Sequence, residues 1–219
     1  MKFKNSILFA ASFSLLTIYA CKEDKKVESE ISAVSTTKNG KVFTVDNATS
    51  KIEWKGYKVV KSDNTSHIGT IDLQSGEVTI KDNKLESGKF VADMATLTSV
   101  DLKDDAENLN KLNGHLKSAD FFDVEKYPTT TYEITKVSDA PEGSDYNTVL
   151  DGNLTIKGIT KPVQFNANVK INGANVMIAT QPKDISRKEF GVEFQMPVAN
   201  GLIKDDITVQ IVVNATEKK

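Results

Sequence analysis

The sequence predicts an all-β fold, an antiparallel barrel of about eight strands interrupted by one helical insertion that serves as a lid. Three observations carry this. From Lys41 onward apolar residues recur with period two, short polar turns separate the runs, and one stretch, Ala106 to Leu116, switches to helical spacing.

The chain of 219 residues holds one domain once its N-terminal forty residues are set apart. Met1-Lys2-Phe3-Lys4 is a short basic start, and Ile7 to Ala20 is an apolar run too short to span a bilayer, so residues 1–20 read as an export signal. The single cysteine, Cys21, follows directly and excludes a disulfide within the chain. Thr17-Ile18-Tyr19-Ala20-Cys21 resembles a bacterial lipobox, whose cysteine is diacylated and becomes the new N-terminus. That implies lipidation at Cys21 and a protein held at an envelope membrane, on the periplasmic or surface face of the outer membrane, because several acyl chains anchor stably where one does not. Residues 21–40 are too charged and Ser/Thr-rich to order themselves and read as a tether, which leaves 41–216 as the barrel domain. A net charge of −2 with mixed signs offers no basic field for nucleic acid.

Val42 to Asp46 is a short first strand, and Ile52, Trp54 and Gly56 then alternate against Glu53 and Lys55. Lys61 to Ser66 carries turn chemistry. Ile71 and Leu73 continue the alternation, Gln74-Ser75-Gly76 reads as a turn, and Val78 and Ile80 open the next strand. After Asp82-Asn83 and Glu86-Ser87-Gly88, which also read as punctuation, Phe90, Ala92 and Met94 form an inward set.

Ala106, Leu109, Leu112 and Leu116 give the helix one apolar stripe, with Asp104 as N-cap and Glu107 three residues on. A helix this short is marginal alone, so it covers the open end or edge of the sheet. The aromatic pair Phe121-Phe122 follows it. Tyr127-Pro128 then forces extended backbone, because the proline ring excludes the α region for its predecessor.

Tyr132 and Ile134 resume strand pattern, and Pro141 to Asp145 is a hairpin loop. Leu150, Gly152, Leu154 and Ile156 share one parity, Lys157 to Pro162 turns, and Val163, Phe165, Ala167, Val169 and Ile171 alternate cleanly up to the hairpin signal Asn172-Gly173. Val176, Ile178 and Thr180 return, and Ile207, Val209, Ile211 and Val213 close the domain. Eight to ten strands suit a two-sheet sandwich or a barrel. The barrel removes the edges that such strands would expose and, at eight strands, holds either side chains or one small ligand.

No catalytic constellation stands out. The two histidines, His67 and His115, lie far apart in sequence with no second thiol, so they read as loop-end imidazoles bonded to backbone; no metal site, cofactor or enzyme activity is expected. Asp120 and Asp123 beside the aromatic pair read as local caps. Gly-X-Ser-X-Gly and phosphate-cradling glycine loops are absent. Periodicity leaves two alternatives open, a hollow apolar interior that carries a ligand and one packed solid by its own side chains.

Three segments decide between them. His115-Leu116-Lys117-Ser118-Ala119-Asp120-Phe121-Phe122-Asp123-Val124-Glu125-Lys126-Tyr127-Pro128-Thr129, then Gly152 to Val163, then Ile185-Ser186-Arg187-Lys188-Glu189-Phe190-Gly191 resemble the successive signatures of the YceI-like family. Ile52-Glu53-Trp54 and Ser66-His67-Ile68-Gly69 fit its first hairpin, and the match runs from about Lys41 to Asn214. The resemblance implies a lipocalin-like barrel capped by a helix, whose elongated interior binds a polyisoprenoid, an isoprenoid quinone or a similar long amphiphile without catalysis. Strand parity places Trp54, Ile71, Phe90, Met94, Tyr132, Phe165, Val169 and Ile178 in that interior, with Phe121 and Phe122 at its mouth. The expected partners are this lipid, a membrane through acylated Cys21, and a second copy of the chain.

Overall fold

Residues 39–218 are described by the computed structural model; the leader, Cys21 and nearly all of the tether lie outside them. The strands are β1 (Lys41–Val45), β2 (Lys51–Val60), β3 (Asp63–Lys81), β4 (Lys84–Asp93), β5 (Thr98–Ser99), β6 (Thr129–Asp139), β7 (Thr148–Ile156), β8 (Ile159–Asn172), β9 (Asn175–Thr180), β10 (Lys183–Ser186), β11 (Gly201–Ile203) and β12 (Asp206–Glu217). One helix, α1 (Ala106–Lys117), and 3-10 turns at Met94–Thr96 and Arg187–Phe190 complete the described residues.

Eight strands close into a ring in the order β2-β3-β4-β6-β7-β8-β9-β12, every neighbour antiparallel. Pairing of β12 with β2, Val209 opposite Trp54 and Ile211 opposite Ile52, shuts the circle, so the architecture is a lipocalin-like barrel and not a sandwich. Strand β3 spans both ends. Near its start it pairs with β2, and near its end with β1, which occupies the same gap and also pairs with β12.

Several segments read as turns are strand. Gln74-Ser75-Gly76 lies within β3, where the register against β4 slips between Leu73 and Ser75. A one-residue bulge exchanges the two faces of a strand. Odd-numbered Ile71 and Leu73 therefore face inward before it, and even-numbered Val78 and Ile80 after it. Glu86-Ser87-Gly88 runs inside β4, Asp63 to Ser66 opens β3, and Ile159 to Pro162 opens β8. The turns themselves are two residues long, and their positive φ values, at Lys61, at Asp82 and Asn83, and at Lys157 and Gly158, match the twist that tight hairpins need.

The end of the barrel around β1 is solid. Phe43 and Val45 meet Val78, Ile80, Leu85, Ile134, Leu150, Ala167, Val176, Ile178, Val213 and Ala215, all buried in one cluster. Each large side chain here contributes about 1.5–3 kcal/mol by leaving water.

The other end is capped by α1. Its N-cap is Asp105, whose carboxylate accepts the Asn108 N–H at 3.1 Å, and not Asp104, one residue earlier. No side chain of α1 is fully buried. Polar contacts hold the helix down: the Asn113 carboxamide accepts the Ser99 N–H at 2.9 Å and donates to Thr98 Oγ1 at 2.9 Å, while Lys117 Nζ donates to the Ala95 carbonyl at 2.6 Å.

Candidate functional site

Beneath α1 lies a cavity of about 210 Å³ in the upper half of the barrel. Its floor is Tyr132 on Phe165, ring centroids 5.3 Å apart and edge to face. The Tyr132 hydroxyl donates toward the carbonyls of Leu150 and Val163, both at 3.0 Å, which fixes the ring across β7 and β8. Gly152 permits this, since a Cβ there would fall 2.4 Å from Tyr132 Cζ. Burial, with the Asp151 charge second, pushes the Tyr132 phenol well above the ordinary tyrosine range and keeps it neutral.

The walls carry Ile52 and Trp54 of β2, Ile71 of β3, Phe90 of β4, Met94, and Ile207, Val209 and Ile211 of β12. The Trp54 ring crosses its strand partner Gly69, where a Cβ would fall 2.3 Å from Cζ2, and its indole N–H is enclosed with no hydrogen-bond partner among the described residues. Leu112, His115, Leu116, Phe121 and Phe122 form the roof. That explains the half-buried stripe of α1: Leu112 and Leu116 face a hollow.

Eight of the ten expected lining residues thus meet at one cavity: Trp54, Ile71, Phe90, Met94, Phe121, Phe122, Tyr132 and Phe165. Val169 and Ile178 do not. Ile178 sits in the solid end and Val169 packs against it, opposite Ile178 across β8 and β9. They keep the inward parity of their strands but lie below the Tyr132–Phe165 floor, so the interior stops partway along the barrel. The elongated interior expected from the resemblance is confined to the α1 half of the barrel.

The roof is an aromatic cluster. His115 stacks edge-on against Phe194 at 4.4 Å and Phe121 at 5.6 Å, and Phe121 against Phe122 at 5.1 Å. His115 therefore packs among rings, and its imidazole bonds no backbone group among the described residues. Lys157 Nζ ties two roof segments together by donating to the carbonyls of Phe121 at 3.0 Å and Gly191 at 3.2 Å. Arg187, 2% exposed, lies over the Phe121 ring at 5.8 Å. Its guanidinium donates to the carbonyls of Val192 at 2.5 Å, Lys204 at 3.2 Å and Ile203 at 3.4 Å, and pairs with Asp205 at 3.4 Å. Burial lowers its pKa and Asp205 opposes the shift. This buried cation pins the loop after β10 to the barrel, a role that its sequence neighbourhood did not reveal.

His67 lines the rim, and Asp101, not a backbone group, orients it through Nδ1 at 2.8 Å. Burial pushes the Asp101 carboxyl up, but bonds from His67, Ser99 and the Ile68 N–H outweigh it and hold the group below the usual carboxylate value. The Ser99 hydroxyl donates to Asp101 at 2.7 Å, so the imidazole has no serine nucleophile to deprotonate here. Among the described residues no group of three or more His, Cys, Asp or Glu side chains is arranged to hold a metal ion, and no helix is long and apolar enough to cross a membrane.

A UPF0312 protein of Shewanella baltica is 28% identical over 167 residues, covering 74% of this chain and 79% of the relative. A UPF0312 protein of Pectobacterium atrosepticum is 44% identical over 55 residues, a quarter of this chain and 27% of its own length. Among solved structures, Burkholderia cenocepacia BcnA matches with a TM-score of 0.60 at 25% identity, over 78% of this chain and 99% of its own. A polyisoprenoid-binding domain from Saccharophagus degradans shares the fold with a TM-score of 0.54 at 13% identity, over 80% of this chain and 98% of its own. The YceI-like domain model matches residues 43–215, from within β1 to within β12, and the chain belongs to the YceI-like family.

Proposed function

We propose that this protein binds the hydrocarbon tail of an isoprenoid or similar long amphiphile in the cavity under α1, and that acylated Cys21 holds it at the bacterial envelope. The observation that carries the reading is a closed barrel whose upper half is hollow and apolar while its lower half is solid. The polyisoprenoid-binding domain of the same fold supports the choice of ligand class.

The energetics are adequate. Each five-carbon isoprene unit moved from water into the cavity contributes about 4 kcal/mol before ordering and association costs are subtracted. The six residue steps from Ile52 to Lys58 cover roughly 20 Å of tilted strand, so the buried tail is about 15 Å long. The remainder of a longer ligand leaves through the mouth. In this reading the protein carries, stores or sequesters its ligand without altering it.

Native mass spectrometry of gently purified protein is expected to show an added lipid mass or the uptake of farnesol in a 1:1 ratio. A clean apo mass with no uptake would overturn the reading. Incorporation of a clickable palmitate analogue, lost in Cys21→Ser, tests the anchor; labelling that persists in the variant would place it elsewhere.

A further inference from the structure

The hollow under α1 is blind at its lower end. Tyr132 stands in register between Phe90 of β4 and Leu154 of β7, and Phe165 packs edge-on against its ring, so these large side chains close the lumen together. The Tyr132 hydroxyl is held by the Leu150 and Val163 carbonyls, which keeps the ring from swinging aside. Further along the same strands lie Ile134, Leu150 and Ala167, each at most 2% exposed. A tail that pushed deeper would have to break the tyrosine's hydrogen bonds and overpack a filled core, where even one added methylene is felt.

The space above that floor is small. An apolar cavity of roughly 150 Å³ takes one benzene, so the 210 Å³ here takes on the order of eight to ten carbons, or about two isoprene units. Each methylene placed inside strengthens binding about fourfold, whereas a carbon left outside stays in water and adds nothing. Where a bilayer competes for the ligand, each outside carbon weakens extraction by a similar factor, because the membrane would have buried it.

We infer that Phe90, Tyr132, Leu154 and Phe165 are a ruler for tail length, and that the preferred ligand is an amphiphile whose tail is about ten carbons long, the size of a geranyl group and not of a long polyprenyl chain. This rests on the tail-binding reading above and names the size class of the tail. Wall residues such as Ile71 and Val209 bound the width of the hollow, while the floor residues decide where a tail must stop.

The experiment measures the affinity of the protein for straight-chain alcohols from hexanol to tetradecanol, with geraniol and farnesol as a branched pair, by the fluorescence of Trp54, the chain's one tryptophan. Affinity is expected to rise about fourfold per carbon up to about decanol and then to stay level within about twofold, with farnesol within about threefold of geraniol. Phe165→Leu lowers the floor and should move the break to longer alcohols, whereas Ala92→Leu fills space above it and should move the break to shorter ones. Affinity that keeps climbing through tetradecanol, or a break that neither folded variant moves, overturns the ruler and leaves tail binding standing. Binding of no alcohol removes both. Phosphatidylcholine vesicles loaded equally with geraniol and geranylgeraniol test the size class in the unmodified protein, whatever the variants do. Native mass spectrometry should recover geraniol over geranylgeraniol by about tenfold or more, and preferential recovery of geranylgeraniol would overturn the proposal.

Discussion

The two ends of this barrel are built by the same strands yet packed on opposite principles. Strand β12 shows it most directly: Ile207, Val209 and Ile211 line a hollow, and two residues further on Val213 and Ala215 are locked into a solid core. The Tyr132–Phe165 pair is the partition. Below it, β1 pushes Phe43 and Val45 into the gap between β3 and β12 and fills the lumen. Above it, the matching place is taken by β2, whose inward series runs Ile52, Trp54, Gly56 and Lys58 and ends in an open position and a charge. The packed core resides in one half and the hollow in the other.

That division is broken most severely by Phe43→Ala. It should cost about 3–5 kcal/mol, because the rigid plug cannot collapse around the void. Chemical denaturation measures it, and a loss below 1 kcal/mol would mean that the plug is soft. Next comes a matched pair of enlargements. Ala167→Phe, at a fully buried site, should cost about 1–3 kcal/mol by overpacking, whereas Ile71→Phe should cost less than about 1 kcal/mol because the hollow accepts the ring. Ligand affinity should reverse the order, with Ile71→Phe the weaker binder.

A smaller effect is expected at the lid. Asn113→Ala removes two hydrogen bonds between α1 and β5, which contribute about 0.5–1.5 kcal/mol each. Since no side chain of α1 is buried, hydrogen exchange in α1 should rise sharply while the plug strands keep their protection. Equal acceleration everywhere would deny the lid its independence. The mildest effect is in pH. The Asp101 pKa is depressed on folding, so its contribution is complete above the unfolded value of about 3.8 and is lost as pH falls through the lower folded value. Thermal melting of Asp101→Asn should therefore differ from the unmodified protein at neutral pH, and the difference should begin to close only as pH falls below about 4.

Much of this was legible in the sequence, for definite reasons. Period-two alternation gave the strands, and the change to three-and-four spacing at Ala106 gave the lid. Six lining residues, Trp54, Ile71, Phe90, Met94, Tyr132 and Phe165, followed from parity alone. Parity, however, reports which face is inward and not how far along the barrel a residue lies, so Val169 and Ile178 had the right face and the wrong end. The bulge in β3 had a similar cause. Gln74-Ser75-Gly76 marks a real break in phase, and a break in phase looks the same in sequence whether the chain turns back or kinks and continues. Arg187 and Lys204 were not identified as site residues because the coil from Gly191 to Asn200 brings β11 back beside β2, a long-range pairing that no local pattern encodes.

The most direct test of a hollow upper half is quenching of Trp54 by a brominated twelve-carbon alcohol, since bromine quenches an indole only near contact. A saturable 1:1 curve that disappears in Ile71→Phe and Gly56→Leu, with both variants folded, is the predicted result. Quenching that never saturates, or that persists unchanged once the hollow is filled, would contradict it.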